Sequence, residues 1–512
     1  MEILGTIIKR GFELRKTINK VRSRPSPLLK QRKSLKKLLA KAQYTQFGQT
    51  YEFEAILASK NPEKVFQKIV PIYDYDSIFE EWWHKTLQGE PDVCWPGKIK
   101  YFALSSGTSG APSKQIPVTN AMIRSMRKTG LRQIMTLVNY GIAEEAFTKG
   151  VLVVGGSSDL VDMGNYYQGD LSGINQAKMP FYTSPFYRPG REIARERDWN
   201  VKIDEIVKNA PNWDIVMITG IPAWNQIIIE KIIEKYRLKN IHEMWPNLSF
   251  FIYGGVAIEP YLKSFDSLLG KPIHYVETYL ASEGFIAYQA RKDTKGMELV
   301  LDNGLFMEFV PFTDKNFNPD GTLKENPEVL LINEVQEDMD YALLISTNAG
   351  AWRYLIGDTI RFTNLPLNEI IITGRTKHFL SLCGEHLSVD NMNKAVHMVG
   401  EHFNAPVKEY TVSGIQVGNL FGHRWYVGMD TDQVNPEQVK EKLDAVLMEL
   451  NDDYAVERRH ALKDIELQIV PTRLFYDWME SRGKLGAQNK FPRVLSKGQL
   501  QEWENFLSGN FN

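Results

Sequence analysis

Short apolar segments alternate with amphipathic segments of helical periodicity through the middle of this 512-residue chain. The apolar segments have the length and composition of strands and are Val151–Val154, Ile215–Thr219, Ser249–Tyr253 and Ile273–Glu277. The segments with helical spacing between them are Lys202–Lys208, Ala223–Tyr236 and Pro260–Leu269. Strands and helices in alternation predict a sheet covered by helices, so the fold class that we expect is α/β.

The patterns change on both sides of this core and divide the chain into four regions. Residues 1–90 carry apolar positions at helical spacing and predict a helical start, which precedes the α/β core over 91–298. Residues 299–374 contain apolar segments separated by turns and predict a β-rich subdomain with the shape of a distorted barrel. These regions make up a large N-terminal domain over 1–374. Residues 375–512 mix strand and helix patterns and predict a small, mobile α+β domain at the C-terminus.

The two flanking regions also contain individual segments that predict strands or helices. In the β-rich region the candidate strands are Leu305–Val310, Val329–Val335 and Ala342–Ser346. In the C-terminal region the candidate strands are Tyr410–Val417, Trp425–Met429 and Ile465–Val470, and the candidate helices are Glu437–Leu450 and Gln499–Leu507. A chain of this length is expected to bury more than one core.

Charge and cysteine content exclude several classes of protein. Lys and Arg total 61 and Asp and Glu total 62, so the formal net charge is -1 and no basic field exists to hold nucleic acid. The two cysteines, Cys94 and Cys383, exclude a disulfide framework and favour a reducing, cytoplasmic setting. No apolar run approaches the length of a membrane span, and the N-terminus lacks the pattern of a signal peptide. We therefore expect small-molecule partners.

The strongest local signal is the ten-residue loop Ser105–Lys114, which we call the phosphate loop, directly after the apolar segment Tyr101–Leu104. Its glycines let backbone N–H groups approach a phosphate, its hydroxyls add donors and its lysine adds positive charge. The loop does not match a Walker A motif, because Lys114 is followed by Gln115 and is not preceded by glycine. It predicts a polyphosphate site, although a polar surface loop can have the same composition.

Two further motifs place carboxylates beside turns. In Tyr279–Gly284, Glu283 is a natural ligand for Mg²⁺ beside phosphates, and Tyr279 can stack on a purine or contact a substrate. In Trp352–Asp358, the carboxylate of Asp358 follows a glycine and can accept ribose hydroxyls. Each motif alone is also typical of a structural turn. Their chemistry becomes specific only in combination with the phosphate loop.

Three other segments complete the set of candidates. The pair Gly254-Gly255 follows a predicted strand and either lets a ligand approach the backbone or forms a tight turn. Gly374–Phe379 falls at the predicted domain boundary, where a short polar segment serves as a hinge or as a plain connector. Gly483–Arg493 is a glycine-rich, cationic loop that either reaches a phosphate or lies exposed to solvent. No histidine or cysteine spacing suits zinc, and no GxSxG turn suits a serine hydrolase.

In this order and spacing the motifs resemble those of the adenylate-forming superfamily of acyl-CoA synthetases and luciferases. More narrowly, the chain is similar to the auxin-responsive Gretchen Hagen three family of acyl acid amido synthetases. The segments that carry the resemblance are Val70–Tyr75, Tyr101–Gly110, Tyr279–Glu283, Arg353–Asp358 and Gln488–Arg493. The resemblance implies an ATP-dependent ligase that activates a small carboxylic acid as its acyl-adenylate. The acyl group would then pass to an amino acid amine, with release of AMP and pyrophosphate.

The resemblance also implies roles for individual residues. The residues that would bind ATP or AMP are Ser105, Ser106, Thr108, Ser109, Tyr279, Ser282, Asp358 and Arg375. Glu283 would hold Mg²⁺, and Lys490 would meet the α-phosphate, so these two are the expected catalytic residues. Gly254 and Gly255 would lie beside the acyl substrate together with Tyr279. ATP and Mg²⁺ are therefore the expected cofactors.

Two other interpretations remain open at the level of sequence. An acyl-CoA ligase would form the same adenylate and use coenzyme A as the acceptor. A non-catalytic nucleotide-binding protein would keep the fold without the chemistry. The sequence names neither the acyl acid nor the oligomeric state.

Overall fold

The computed structural model describes residues 10–11, 25–105, 114–141, 144–292, 294–318, 321–376, 379–431, 434–482 and 491–510. Contacts divide the chain into two compact units. The first unit comprises Met1–Leu104, Gln115–Gly255 and Phe265–Thr376, and the second comprises Ser105–Lys114, Val256–Ser264 and Lys377–Asn512. The simpler division into 1–374 and 375–512, with its inner boundaries, stays a prediction from sequence.

The strands follow one another from residue 101 to residue 470. Numbered in chain order, they are β1 (Tyr101–Ser105), β2 (Lys114–Val118), β3 (Gly150–Val153), β4 (Val161–Asp162), β5 (Tyr167–Gly169), β6 (Tyr187–Arg188), β7 (Ile215–Thr219), β8 (Phe250–Tyr253), β9 (His274–Ala281), β10 (Gly284–Tyr288), β11 (Met297–Leu299), β12 (Leu305–Pro311), β13 (Asp340–Thr347), β14 (Tyr354–Asn364), β15 (Glu369–Arg375), β16 (Phe379–Leu380), β17 (Leu387–Ser388), β18 (Glu409–Val417), β19 (Leu420–Gly428) and β20 (Leu462–Val470).

Helices precede the first strand and occupy most of the connections. The α-helices are Pro27–Ala42, Gln46–Thr50, Phe53–Ala58, Pro62–Ile69, Tyr75–Ile78, His84–Leu87, Asn120–Thr136, Leu171–Ala177, Arg191–Ala194, Trp199–Asn209, Pro222–Tyr236, Leu262–Leu268, Val389–His402, Pro436–Leu450, Asp452–His460, Thr472–Ser481 and Lys497–Asn510. A π-helical turn spans Phe79–Trp83. The 3₁₀ turns are Leu137–Tyr140, Glu144–Thr148, Phe181–Thr183, Ala210–Asn212, Ile241–Glu243 and Glu259–Tyr261. None of the helices described is both long and apolar enough to cross a membrane.

The main sheet of the first unit has eleven strands in the order β12-β13-β14-β15-β11-β10-β9-β8-β7-β3-β6. The five strands at one end of this order, from β6 to β9, pair in parallel. The strands at the other end, from β9 through β10, β11, β15, β14 and β13 to β12, pair in antiparallel fashion. Parallel strands covered on both faces are apolar along their whole length, as Phe250–Tyr253 is. A smaller sheet has the order β2-β1-β5-β4. The predicted α/β class is therefore confirmed.

The β-rich character of residues 299–374 is confirmed, but two details of the prediction are wrong. The strands of this region do not form a separate barrel, because β15 pairs with β11 and continues the main sheet. The segment Val329–Val335 is not a strand: only Leu330 forms an isolated bridge, to Phe309, and a turn follows. Its apolar residues are buried by packing instead of by pairing, which a pattern of apolar residues cannot distinguish.

The helical start packs onto the core of the first unit. Ser26 caps the helix Pro27–Ala42 by accepting a hydrogen bond from the N–H of Leu29, and Pro27 occupies the first turn. Leu35, Leu38 and Leu39 are fully or almost fully buried on one face of this helix. The helix therefore forms where the sequence predicts it, and its apolar face explains why.

The second unit contains a three-stranded sheet in the order β18-β19-β20. Strands β18 and β19 form an antiparallel pair, and β20 lies parallel to β19. An aromatic cluster that includes Trp478, Phe491 and Trp503 packs on one side of this sheet with Tyr426 of β19. The mixture of strands and helices confirms the α+β pattern predicted for the C-terminal part of the chain.

Candidate active site

A tight hairpin joins β9 to β10 and carries two of the predicted site residues. Ala281 pairs with Gly284, so Ser282 and Glu283 form a two-residue turn between the strands. Ser282 is half-buried, whereas the Glu283 side chain is buried. Tyr279 lies two residues before Ala281 on β9 and is 5% exposed. The hairpin thus fixes a carboxylate and a phenol at a short, constant separation along one strand and its turn.

A β-bulge places Asp358. On the pair β13–β14, Leu344 pairs with Leu355 and Ala342 pairs with Thr359, so β14 contains two more residues than its partner between these positions. Asp358 lies within the extra segment. A bulge locally redirects side chains and is common beside active sites. The preceding residue is glycine with φ of +90°, a conformation that side chains other than glycine rarely adopt.

The carboxylate of Asp358 is held on both sides. Tyr279 Oη donates a hydrogen bond to Oδ2 of Asp358 at 2.5 Å, and Arg375 Nε donates to Oδ1 at 2.6 Å. Arg375 is the direct cross-strand partner of Asp358 on β15. A carboxylate has about four acceptor positions, so sites remain on both oxygens for the hydroxyls of a ribose. We call these three residues the triad.

Burial and charge within the triad shift the pKa values of its members. Burial raises the pKa of Tyr279 well above its ordinary value, and the neighbouring carboxylate of Asp358 raises it further. Burial by itself would lower the pKa of Arg375, but the Asp358 carboxylate outweighs burial and the pKa is raised. The phenol and the guanidinium therefore keep their protons at neutral pH. The triad is a stable set of donors around one carboxylate.

Glu283 belongs to the same electrostatic neighbourhood. Its negative charge raises the pKa values of the buried Tyr279 and Tyr354 and of the half-buried Arg375. No group of three or more His, Cys, Asp or Glu side chains among the residues described is arranged to hold a metal ion. Mg²⁺ commonly binds through one or two carboxylates together with substrate phosphates. The buried carboxylate of Glu283 fits that mode of binding, which needs no cage of several protein ligands.

The glycine pair at the end of β8 lies close to the chain of β9. A Cβ atom added to Gly254 would lie 2.4 Å from the carbonyl oxygen of Thr278, the residue before Tyr279. Gly254 is therefore required for close approach of the two backbones. Gly255 has φ of +84° and has open space around its Cα hydrogen. The structure brings Gly254 next to the strand of Tyr279, and the contact of these glycines with a substrate stays a prediction.

Several predicted site residues lie outside the described part of the chain. Ser106, Thr108 and Ser109 fall in the undescribed segment 106–113, and Lys490 falls in 483–490. Ser105 is the last residue of β1 and is half-buried. The predicted phosphate contacts of these residues therefore stay predictions from the sequence.

Two residues of the motif Trp352–Asp358 have roles that the sequence did not suggest. Tyr354 is buried at the start of β14, and the charge of Glu283 adds to burial in raising its pKa. Arg353 forms an ion pair with the buried Glu308, with Nε 3.1 Å from Oε1. In the sequence, the only indication of these roles was that a charged and an aromatic residue follow Trp352. The same pattern is typical of a surface turn.

Two solved structures share the fold described above. A GH3.15 acyl acid amido synthetase aligns with a TM-score of 0.56 and 17% identity, covering 94% of this chain and 93% of that chain. A 2-hydroxyisobutyryl-CoA ligase in its thioesterification state aligns with a TM-score of 0.53 and 13% identity, covering 93% and 91%. Identities this low show the fold alone. The fold is thus one that amido synthetases and coenzyme A ligases share.

Family models matched to the sequence identify one family among the proteins that share this fold. The N-terminal, central and C-terminal domains of the GH3 family match residues 16–158, 298–372 and 390–499. Together the matches cover more than half of the sequence, and the chain belongs to the GH3 (Gretchen Hagen three) family. The family resemblance of the motifs is therefore confirmed.

Curated relatives match the chain over part of its length. The indole-3-acetic acid-amido synthetase GH3.4 of Arabidopsis thaliana is 26% identical over 280 residues, which are 50% of this chain and 45% of that protein. The jasmonoyl–L-amino acid synthetase JAR4 of Nicotiana attenuata is 26% identical over 286 residues, 53% of this chain and 48% of that protein. The matched region is about half the length of these relatives.

Proposed function

We propose that the protein is an ATP-dependent ligase that adenylates a small carboxylic acid and transfers the acyl group to the amine of an amino acid. The observation that carries the proposal is the triad, in which Asp358 is oriented by Tyr279 and Arg375 beside the charge of Glu283. Membership of the GH3 family and the names of its curated relatives supply the reaction class.

In the first half-reaction the carboxylate oxygen of the acid attacks the α-phosphorus of ATP. The bond between the α- and β-phosphates breaks, and pyrophosphate leaves. Asp358 would bind the ribose hydroxyls and thereby fix the α-phosphorus relative to the acid. Positioning the reacting atoms in this way lowers the activation barrier. Glu283 would hold Mg²⁺, which when bound neutralises charge on the phosphates. Lys490 would add a cation for the α-phosphate, as the family resemblance implies.

In the second half-reaction the amine attacks the carbonyl carbon of the acyl-adenylate. An amide bond forms, the bond to the phosphate oxygen breaks, AMP leaves and the amine loses a proton. The adenylate is prone to hydrolysis, so water must be kept from it until the amine arrives. Tyr279 and Tyr354 are both buried, and we expect their rings to help keep water from the adenylate.

A panel of carboxylic acids in an ATP–pyrophosphate exchange assay tests the first half-reaction. Mass spectrometry of reactions supplied with amino acids or with coenzyme A then identifies the acceptor. We expect exchange with at least one small acid and an N-acyl amino acid as the product. Absence of exchange across the panel would favour a non-catalytic nucleotide-binding protein. A thioester in place of the amide would show that the acceptor is coenzyme A.

The coenzyme A ligase is the second candidate because of one observation. The fold aligns with a coenzyme A ligase almost as well as with an amido synthetase, at TM-scores of 0.53 and 0.56. Since both types of enzyme form the same adenylate, the fold does not separate the acceptors. Family membership favours the amino acid, and the product assay decides between them.

We also propose a cytoplasmic location, and we expect no nucleic acid partner. The buried cysteines Cys94 and Cys383 are both free thiols, as is common in a reducing compartment. Fractionation of cells that produce the protein, followed by immunodetection, tests the location.

A further inference from the structure

The helix Pro27–Ala42 carries charges of one sign only. It contains six Lys and Arg side chains and no Asp or Glu. The exposed face of a helix in a soluble protein usually mixes both signs of charge. A face of one sign raises the local electrostatic potential and attracts partners of the opposite charge.

Two of these six side chains interact with carboxylates of the first unit. Arg32 Nε lies 3.0 Å from Oε1 of the buried Glu63. Burial raises the pKa of Asp302, but Arg132 and, to a smaller extent, Lys30 outweigh burial and lower it. The other four side chains are exposed, and in the part of the chain that is described none of them forms an ion pair with a carboxylate. We call these four residues the basic face, which consists of Lys33, Lys36, Lys37 and Lys41.

The lysines of the basic face repel one another. Lys33 precedes Lys37 by four residues and Lys37 precedes Lys41 by four, so the members of each pair are neighbours on the helix surface. Like charges at this spacing destabilise a helix. The buried leucines on the opposite face hold the helix in place in spite of this repulsion. An anionic surface outside the protein would relieve the repulsion, because it would supply the charge that the helix lacks.

The same sign of charge extends through the sequence before the helix. Residues 1–41 contain thirteen Lys and Arg and two Glu, a formal net charge of +11. The remaining 471 residues contain 48 Lys and Arg and 60 Asp and Glu, a formal net charge of -12. The nearly neutral total is therefore the sum of two strongly charged parts of opposite sign. Such a separation of charge is typical of a segment that binds a membrane surface or nucleic acid.

Apolar side chains beside the basic face favour a lipid surface over nucleic acid. Leu29, four residues before Lys33 and thus on the same side of the helix, is 52% exposed. Tyr44, just after the end of the helix, is 75% exposed. Segments that bind a bilayer surface combine basic with apolar or aromatic side chains. Binding to the phosphates of nucleic acid without regard to sequence needs only the charge.

We propose that the basic face binds the surface of an anionic lipid bilayer, and that Leu29 and Tyr44 contact its headgroup region. A face of this kind lies on a bilayer and does not span it. Each lysine near an anionic surface contributes about fivefold in affinity. The proposal goes beyond the ligase activity and does not depend on it, since the basic face shares no residue with the triad.

Co-sedimentation of the full-length protein with vesicles tests the surface. One set of vesicles is phosphatidylcholine alone, and the other is an equal mixture of phosphatidylcholine and phosphatidylglycerol. We expect binding to the anionic vesicles to be at least about tenfold tighter and to weaken as salt is added, because salt screens exposed charges. Equal binding to both sets, or binding to neither, would overturn the proposal. Tighter binding to duplex DNA than to anionic vesicles at the same salt concentration would assign the basic face to nucleic acid instead.

Double variants locate the binding. Lys36→Gln with Lys37→Gln should weaken binding to anionic vesicles about twentyfold. The matched control is Lys235→Gln with Lys239→Gln, which removes two exposed lysines from another part of the first unit and changes the net charge equally. Equal losses in the two double variants would show a response to net charge alone and would overturn the assignment, as would wild-type binding by the first. Both double variants should show wild-type pyrophosphate exchange in the absence of vesicles.

Two further measurements separate a specific lipid contact from a fault in folding or from charge alone. The first double variant should unfold at or above the wild-type temperature, because it removes repulsion between lysines, and a lower temperature would mean that the lysines serve the fold. Leu29→Ser should weaken binding to anionic vesicles about fivefold, because an apolar contact with lipid is lost. Its control is Leu131→Ser, since Leu131 is 50% exposed on another helix. Equal affinities of these two single variants would overturn the contact of Leu29 with lipid.

Discussion

Asp358 and Arg375 are direct partners on the neighbouring strands β14 and β15, and Arg375 Nε lies 2.6 Å from Oδ1 of Asp358. The second oxygen accepts a hydrogen bond from Tyr279 on β9, so three strands of one sheet contribute to the arrangement. Because paired strands carry these groups and both oxygens accept a hydrogen bond, the carboxylate has one orientation before a ligand arrives. Such preorganisation increases the contribution of each contact to binding.

Asp358→Asn should raise the KM for ATP about tenfold or more in the pyrophosphate exchange assay, because charge-assisted hydrogen bonds to ribose are lost. The value of kcat should change less, since ribose contacts are the same in the ground state and the transition state. Asp340→Asn is the matched control. Asp340 forms a similar ion pair with Arg361 of β14, in which Nε lies 2.9 Å from Oδ1, and it does not belong to the triad. A KM for ATP within twofold of wild type in Asp358→Asn would show that this carboxylate does not bind ribose.

Lys490→Ala should lower the rate of adenylation about 10²-fold, the usual effect of removing one group that stabilises a developing charge. Lys484→Ala removes a lysine from the same cationic loop and should retain most of the activity. Both variants should unfold at the wild-type temperature, which scanning calorimetry checks. Equal activity of Lys490→Ala and Lys484→Ala would mean that the loop contributes general positive charge and no specific cation.

Glu308→Gln should destabilise the protein by about 3–5 kcal/mol, because it leaves Arg353 as an uncompensated buried charge. Both side chains are almost completely buried, and Arg353 also donates to the carbonyl oxygen of Val70 at 2.6 Å. Glu328→Gln is the control, since its partner Lys315 is exposed, and we expect a loss of no more than about 1 kcal/mol there. Urea denaturation measures the free energy of unfolding of both variants. Similar losses would show that the buried ion pair contributes no more to stability than the exposed one.

Glu385→Gln should change how stability depends on pH. Burial raises the pKa of Glu385, but hydrogen bonds from His423 and from the backbone N–H of Cys383 outweigh burial and hold it below its usual value. The unfolded chain, with a glutamate pKa of about 4.3, therefore binds a proton before the folded chain as pH falls. The stabilisation is present above that pH and is lost as pH falls through the folded-state pKa.

Urea denaturation of wild type and Glu385→Gln between pH 6 and pH 3 measures this effect. The stability advantage of the wild type should shrink as the pH is lowered through the region below about 4.3. Glu325→Gln, at an exposed position, controls for the general effect of removing a carboxylate. A constant difference between wild type and Glu385→Gln across the whole range would contradict the assignment.

Local patterns predicted much of the fold and part of the site. Alternating apolar and amphipathic segments located the parallel strands, and a strand followed by a polar turn located Tyr279 and Glu283. The bulge that places Asp358 depends on which strand pairs with β14 and in which register, and no local pattern encodes that. The contact of Asp358 with Arg375 likewise depends on the register of β15. The apolar segment near Leu330 was mistaken for a strand because packing and pairing give the same pattern.

The end of the first unit is anchored more firmly than a flexible connector would be. Arg375 is tied to Asp358 through its side chain, and the N–H of Thr376 donates to the carbonyl oxygen of Gly357 at 2.8 Å. Within the segment Gly374–Phe379, residues 374–376 are therefore held to the first unit by these contacts. A first unit cut from the chain at residue 374 would lack the guanidinium that orients the carboxylate of Asp358. Dissection of this protein into independently folding pieces should keep Thr376 with the residues that precede it.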